Sequence, residues 1–306
     1  MLKTAVIGVG YLGRFHAQKY AMLPGSELVS VVDIDPEQGQ KVADELEVSF
    51  FLDFHEVLDQ VDAVSIVVPT VHHYEMAKAF MEKNIHVLLE KPFAATIEEA
   101  KELEQLSRDK NVRLQIGHLE RFNPVFTEFQ QLIGEPKFIE NIRIAPFPKR
   151  GTDVDVILDL MIHDIDLVLA VVGEYPEFVE GTGVNIITST ADLANARLRF
   201  PSGCIADLTA SRVSDKAERK MRIFQSGLYL SLDYGTGQAR KLQVDSGTAP
   251  VPETLRPESF QLEKGDALLS EIESFLLAVR EGKSPKVTAK DGLNAMEVAW
   301  QIKDQL

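Results

Sequence analysis

An apolar run at Thr4-Ala5-Val6-Ile7 is followed at once by Gly8-Val9-Gly10-Tyr11-Leu12-Gly13, and no other stretch of the 306 residues limits the possible folds so sharply. Three glycines in that spacing, directly after a strand, suit a turn that feeds the first turn of a helix. A helical pattern continues to about Leu23, Pro24-Gly25 breaks it, and Leu28 to Val32 form a second β-rich run ending in Asp33. Neither strand alternates polar with apolar, as expected where both faces of a sheet are covered. Helical patterns then recur at about Pro36–Leu46, 54–59, His72–Lys83 and Thr96–Lys110. Strand patterns fall between them at Ser49–Leu52, Ala63–Val68, His86–Glu90 and Arg113–Gly117. Thr96 suits the N-cap of the last helix, with Glu98 and Glu99 near its positive end.

Strands alternating with helices predict an α/β domain over residues 1–121, with the doubly wound parallel sheet of the Rossmann type. The pattern changes after Arg121. Helical segments at Pro124–Ile133 and Val154–Val172 flank a strand at Lys137–Ile144. Closely spaced β-like stretches follow at Glu177–Ile187, Leu193–Phe200, Cys204–Arg212, Lys220–Gln225, Gly227–Asp233 and Ala239–Gln243. Strands joined by Gly and Ser turns predict a mostly antiparallel open sheet in an α+β domain over residues 122–306. Residues 246–260 read as a loop, and helices at about Asp266–Glu281 and Lys290–Gln305 finish the chain.

Composition removes several function classes. A formal net charge of −15, with no basic run to offset it, disfavours nucleic acid and anionic membrane as partners. No apolar run nears the roughly 18 residues that span a bilayer, and the start lacks the pattern of a secretory signal. The single cysteine, Cys204, excludes an intrachain disulfide and reads as a small buried apolar residue. The cytoplasm is the expected compartment.

The glycine run carries a cofactor expectation. Gly8 permits the tight turn, Gly10 lets a pyrophosphate approach the backbone, and Gly13 lets the helix pack close to the sheet. The backbone from Gly8 through Tyr11 and Leu12 to Gly13 then offers N–H groups at the positive end of a helix. Asp33, 20 residues beyond Gly13, can accept hydrogen bonds from ribose hydroxyls but would repel a 2′-phosphate. NAD is therefore expected in preference to NADP.

Two further patterns carry chemistry. Glu90-Lys91-Pro92 stands at the carboxyl end of a parallel strand, where open sheets bind ligands. A lysine there can stabilise developing alkoxide charge, or it is a surface residue in a turn. In the apolar segment Val154–Val172, Asp159, His163 and Asp166 fall at i, i+4 and i+7 on one face. Buried charges cost several kcal/mol unless paired, so the stripe calls for a residue, ligand or metal opposite it. Asp159 can orient His163 to accept a hydroxyl proton, or the pair is a satisfied element of the core. A metal held with His72, His73 or His118 is a competing reading, and lysine as electrophile makes a metal unnecessary for hydride chemistry.

Together these residues resemble the glucose-fructose oxidoreductase / inositol dehydrogenase / rhizopine catabolism (Gfo/Idh/MocA) family along nearly the whole chain. The resemblance runs through Gly8–Gly13, Pro69-Thr70-Val71-His72-His73, Glu90-Lys91-Pro92, Arg121-Phe122, Asp159 to His163 and the closing stretch Phe275–Trp300. It implies that Lys91, Asp159 and His163 are catalytic, with His163 the proton acceptor. It also implies that Pro69, Thr70, His73 and Glu90 lie near the nicotinamide end of the cofactor. Thr70 stands where the family usually has Asn. Subunits would pair as dimers or tetramers through the open face of the second sheet.

The stretch from Gly117 to Pro124 is similar to the branch that contains UDP-N-acetylglucosamine 3-dehydrogenases. A sugar or nucleotide-sugar would then contact Lys91, His118, Arg121 and His163. Arg121, Arg143, Lys149 and Arg150 are candidates for a diphosphate, because Arg pairs well with phosphate. The implied function is an NAD-dependent dehydrogenase acting on a CH–OH group. The rivals are a dehydrogenase of free polyols or aldoses, and a non-catalytic NAD-binding sensor.

Overall fold

The computed structural model describes residues 1–147, 154–244 and 257–306, which divide into two compact units. The first comprises residues 1–119 and 266–293, the second residues 120–265 and 294–306. No described helix is long and apolar enough to cross a membrane.

In the first unit, strands and helices alternate as β1 (Leu2–Ile7), α1 (Tyr11–Met22), β2 (Ser26–Val32), α2 (Pro36–Leu46), β3 (Ser49–Phe51), β4 (Ala63–Ile66), α3 (His73–Glu82), β5 (His86–Leu89), α4 (Ile97–Asp109) and β6 (Leu114–Ile116). The six strands are all parallel, in the order β3-β2-β1-β4-β5-β6. All four residues of β4 are buried, which is why its sequence does not alternate. The strand order reverses between β1 and β4, and the crevice outside their carboxyl ends is where such sheets bind ligands. Thr96 closes a capping box on α4. Its hydroxyl accepts the Glu99 N–H at 3.2 Å, and the Glu99 carboxylate accepts the Thr96 N–H at 3.2 Å.

The second unit holds α5 (Pro124–Phe129), β7 (Pro136–Ile144), α6 (Ile162–Val172) and the strands β8 (Phe178–Val184), β9 (Leu193–Arg199), β10 (Ile205–Ser211), β11 (Glu218–Gln225), β12 (Leu228–Asp233), β13 (Gln238–Gln243) and β14 (Glu258–Gln261). The sheet order is β14-β13-β12-β11-β7-β10-β9-β8, antiparallel except between β7 and β10. One face builds the core, with Ala194, Ala196, Leu198, Leu208, Met221 and Ile223 all fully buried. The opposite face carries exposed or half-buried residues such as Asn195, Arg197 and Thr209. Cys204 lies in the core, where burial pushes its thiol up to about 11.

Two expectations need correction. The stretch 246–260, read as loop, includes part of a strand: β14 pairs antiparallel with β13 from Gln238↔Gln261 to Lys241↔Glu258. Residues 246–256 lie outside the described ones. An edge strand pairs on one side only, so it needs no continuous apolar run, and Glu258-Ser259 hid it. The segment Val154–Val172 is not one regular α-helix either. Residues Ile157–Met161 form a π-helical turn before α6 begins. Nothing in the local sequence marks that widened turn.

The chain closes with α7 (Ala267–Glu281) and α8 (Ala289–Lys303). In the first unit, Ile272, Phe275 and Leu276 of α7 join the core made by β1, β2 and α1. Asp266 caps α7 by accepting the Leu269 N–H at 2.9 Å and pairs with Lys19 of α1 at 2.6 Å.

Candidate active site

In the first unit, the glycine turn has the geometry that its spacing predicts. Gly8 sits at φ +82°, and a Cβ there would meet the Val67 carbonyl oxygen at 2.5 Å. At Gly13 a Cβ would stand 1.8 Å from the Gly8 carbonyl oxygen, so any side chain would force the helix off the turn. Around Gly10 a Cβ would meet nothing within 4 Å. That open space lies at the start of α1, whose N-cap makes no side-chain bond and whose first turn carries no acidic residue. Unpaired N–H groups and the positive end of a 12-residue helix therefore face the space beside Gly10. The residues fit a dinucleotide pyrophosphate.

A cleft of about 550 Å³ continues from this turn, lined by Gly8, Gly10, Asp33, Asp53, Val68 and His72 among others. The Asp33 carboxylate accepts N–H groups from Val9 at 2.7 Å and Asp35 at 2.9 Å, which fixes its orientation. A carboxylate has about four acceptor sites, so capacity for ribose hydroxyls remains. Asp53 adds a second carboxylate to the cleft, held below its usual pKa by the His55 backbone N–H and ring. Sequence reasoning missed Asp53, because the turn after β3 carries no motif, and it offered His72 as a metal ligand where the structure places it in the lining of this cleft. Tyr11 and Leu12 are exposed on the first turn of α1.

Pro69 lines the same cleft, and Thr70 begins the 3₁₀ turn Thr70–His72 that leads into α3. His73 is fully buried. Its Nδ1 is 3.0 Å from the Pro92 carbonyl and its Nε2 is 2.9 Å from the Val68 carbonyl. Burial lowers its pKa against the pull of those two carbonyls. The ring thus ties the end of β4 to the Glu90-Lys91-Pro92 turn. Glu90 is largely buried, and its Oε2 accepts the Lys91 backbone N–H at 3.1 Å. Burial works to raise the Glu90 pKa, but His16 and Lys91 hold it below the usual carboxylate value. Lys91 is half-buried, and His118 is buried just beyond β6.

In the second unit, Asp155 caps the π turn by accepting the Ile157 and Leu158 N–H groups at 3.1 and 3.0 Å. Asp159 lies within that turn and His163 is the second residue of the regular helix, both half-buried. The polar stripe finds its partner in Arg121. The guanidinium donates from Nε and Nη2 to the two Asp166 oxygens at 2.7 and 2.8 Å, and both residues are buried. Arg143 is engaged in the same way, bonding Asp164 at 2.8–3.0 Å and Glu120 at 3.0 Å. Burial opposes its charge, yet the two carboxylates raise its pKa. Both arginines therefore brace the helix that carries His163. Lys149 and Arg150 lie outside the described residues.

Arg212 was not anticipated. Fully buried, it bonds Asp192 at 2.8 Å and the Val154 carbonyl at 2.5 Å, fixing the start of the same segment. Among the described residues, no group of three or more His, Cys, Asp or Glu side chains is arranged to hold a metal ion.

Removing one partner of a buried bidentate pair strands the other charge. Asp166→Ala should cost about 3–5 kcal/mol of unfolding free energy, read as a shifted midpoint in urea denaturation. A change within about 0.5 kcal/mol, as for an ordinary surface substitution, would mean that the pair braces nothing.

Residues 2–118 match a family described as an oxidoreductase family with an NAD-binding Rossmann fold, and residues 133–227 match the GFO/IDH/MocA C-terminal domain. Over 303 residues the chain is 40% identical to UDP-N-acetylglucosamine 3-dehydrogenase of Acidithiobacillus ferrooxidans, covering 99% of this chain and 96% of that one. The chain belongs to the Gfo/Idh/MocA oxidoreductase family. A solved structure of the Acidithiobacillus enzyme superposes with a TM-score of 0.93 at 38% identity, covering 100% of this chain and 97% of that one. Within the same family, scyllo-inositol 2-dehydrogenase (NAD⁺) of Bacillus subtilis is 28% identical over 97% of this chain and 92% of its own. Family membership makes the chain an oxidoreductase whose Rossmann domain, over residues 2–118, binds a nicotinamide cofactor.

Proposed function

We propose that this chain is an NAD-dependent dehydrogenase that oxidises a ring hydroxyl of UDP-N-acetylglucosamine, at the 3-position. The observation that carries the reading is the full-length likeness to the Acidithiobacillus enzyme of that activity. Asp33 and Asp53 support NAD over NADP, because a 2′-phosphate in that cleft would meet two carboxylates. The inositol dehydrogenase relative favours a second reading, oxidation of a free polyol.

The bound cofactor supplies the two-electron acceptor. The α1 N-terminus and Gly10 would hold its pyrophosphate and Asp33 its adenosine ribose, while Pro69, Thr70 and Glu90 would lie toward its nicotinamide end. His163, with Asp159 stabilising the ring's positive charge, takes the proton of the reacting hydroxyl. Lys91 donates to the same oxygen as negative charge builds on it. His118 contributes to the substrate pocket. Arg121 acts through Asp166, keeping His163 in place.

The chain works in the cytoplasm as a dimer or tetramer, formed through the open face of the second sheet. Phe138, Phe224 and Tyr229 support that surface, with ring centroids 5.0–5.8 Å apart; light-scattering mass in solution decides it. The activity is tested by following NADH absorbance with UDP-sugars, free sugars and inositols, using NAD and NADP in parallel. The expected result is a higher kcat/KM for UDP-N-acetylglucosamine than for any free sugar, and for NAD than for NADP. A preference for free polyols would replace the substrate assignment. Absence of turnover with every compound, alongside tight NADH binding, would favour a sensor.

A further inference from the structure

The face of α1 turned toward the sheet carries a polar line through an apolar core. Its buried residues are Gly13, His16, Ala17 and Tyr20. His16 is fully buried, and its Nδ1 lies 3.2 Å from the Ser65 hydroxyl on β4. That hydroxyl is in turn 2.9 Å from the Tyr20 phenol. On the other side of the ring, Nε2 stands 3.3 Å from Glu90 Oε1, an electrostatic contact without ideal hydrogen-bond alignment. The second Glu90 oxygen receives the backbone N–H of Lys91.

Donor accounting gives the line a direction. Burial pushes the Tyr20 phenol well above its ordinary pKa, so it stays protonated and can donate to Ser65. Ser65 can then donate to His16 Nδ1, which leaves the ring hydrogen on Nε2, facing the carboxylate. Replacing all these groups by apolar residues of similar shape would be nearly neutral for folding. The line is therefore better explained by what stands at its end. The Glu90 carboxylate is also confined from the far side, because a Cβ at Gly117 would lie 3.1 Å from its carboxyl carbon and both oxygens.

We propose that His16 is a positioning residue for the reaction: it holds the Glu90 carboxylate, and Glu90 fixes the backbone of Lys91. The proposal rests on the reading of Lys91 as the electrophile. It links the helix that receives the pyrophosphate to the turn that presents the lysine, within one unit. His73 grips the same turn from α3 through the Pro92 carbonyl, so the turn is held at both ends.

The test compares His16→Leu, which removes both ring nitrogens, with His16→Gln, whose terminal amide keeps a donor near the Nε2 position. Three quantities are read on the full chain: kcat and KM with UDP-N-acetylglucosamine, NADH affinity by fluorescence, and amide hydrogen exchange of the Lys91 peptide by mass spectrometry. In His16→Leu, kcat should fall at least about 10-fold, since small misplacements of a reacting group are costly. KM and NADH affinity should stay within about threefold, and Lys91 exchange should speed up at least about 10-fold through local opening. His16→Gln should restore kcat and exchange to near wild-type values. Wild-type kcat and exchange in His16→Leu would overturn the proposal, as would equal losses in both variants, which is what a packing role gives. If the wild-type chain turns over no sugar, the substrate reading fails on its own, and the exchange comparison still decides the role of His16.

Discussion

His163→Ala should lower kcat by about 10²–10⁴-fold, the range a positioned general base supplies, with little change in NADH affinity. The glycine turn and Asp33 belong to one unit of the chain and His163 to the other. The helix carrying His163 should survive, because its packing depends on Ile162, Ile165 and Val168 and on the Asp164 and Asp166 ion pairs. Lys91→Ala should cause a loss of similar size for a different reason: the developing alkoxide loses its charge-stabilising donor. If both groups act on one oxygen in one step, the double variant should be little worse than either single one. Stopped-flow measurement of NADH formation with saturating NAD isolates the chemical step from product release. Wild-type-like rates in both single variants would remove the two role assignments together.

Gly10→Val should weaken NADH binding by at least about 100-fold, roughly 2.7 kcal/mol, without lowering the thermal stability of the ligand-free chain. The two halves of that expectation come from one observation, the empty space around the missing Cβ. With nothing within 4 Å of a Cβ there, the first carbon of the new side chain meets no neighbour in the free protein. It fills the space where the pyrophosphate must approach the backbone. Gly13→Ala is the control with the opposite signature. Its Cβ would collide with the Gly8 carbonyl, so stability should fall even without ligand. Fluorescence titration with NADH and a thermal melt separate the two. Unchanged affinity in Gly10→Val would place the pyrophosphate elsewhere.

What the sequence revealed depended on the range of each interaction. The strand–glycine–helix unit, Asp33 and the Thr96 capping box are local devices, and each was readable from a few consecutive residues. The partners of the acidic residues on α6 were not, since Arg121 and Arg143 stand 45 and 21 residues from Asp166 and Asp164. A lone arginine in a strand or turn gives no sign of which carboxylate it will meet. For the same reason the sequence alone presents both as candidates for phosphate. His16 could have been found, because Gly13, His16, Ala17 and Tyr20 sit at i, i+3, i+4 and i+7 on the buried stripe of α1. A histidine there must answer to something polar. The π turn before α6 and the edge strand β14 left no such pattern.

The return of the chain to its first unit at Asp266 has an engineering consequence. An N-terminal fragment cut near residue 120 would keep every cofactor motif and still lose one wall of its core. It would forfeit Ile272, Phe275 and Leu276, each worth about 1.5–3 kcal/mol of burial, from a domain whose whole margin is only about 5–15 kcal/mol. The nucleotide-binding half therefore cannot be lifted out as a contiguous module. A graft or recombination that respects it must carry two separate stretches of the gene, one from each end.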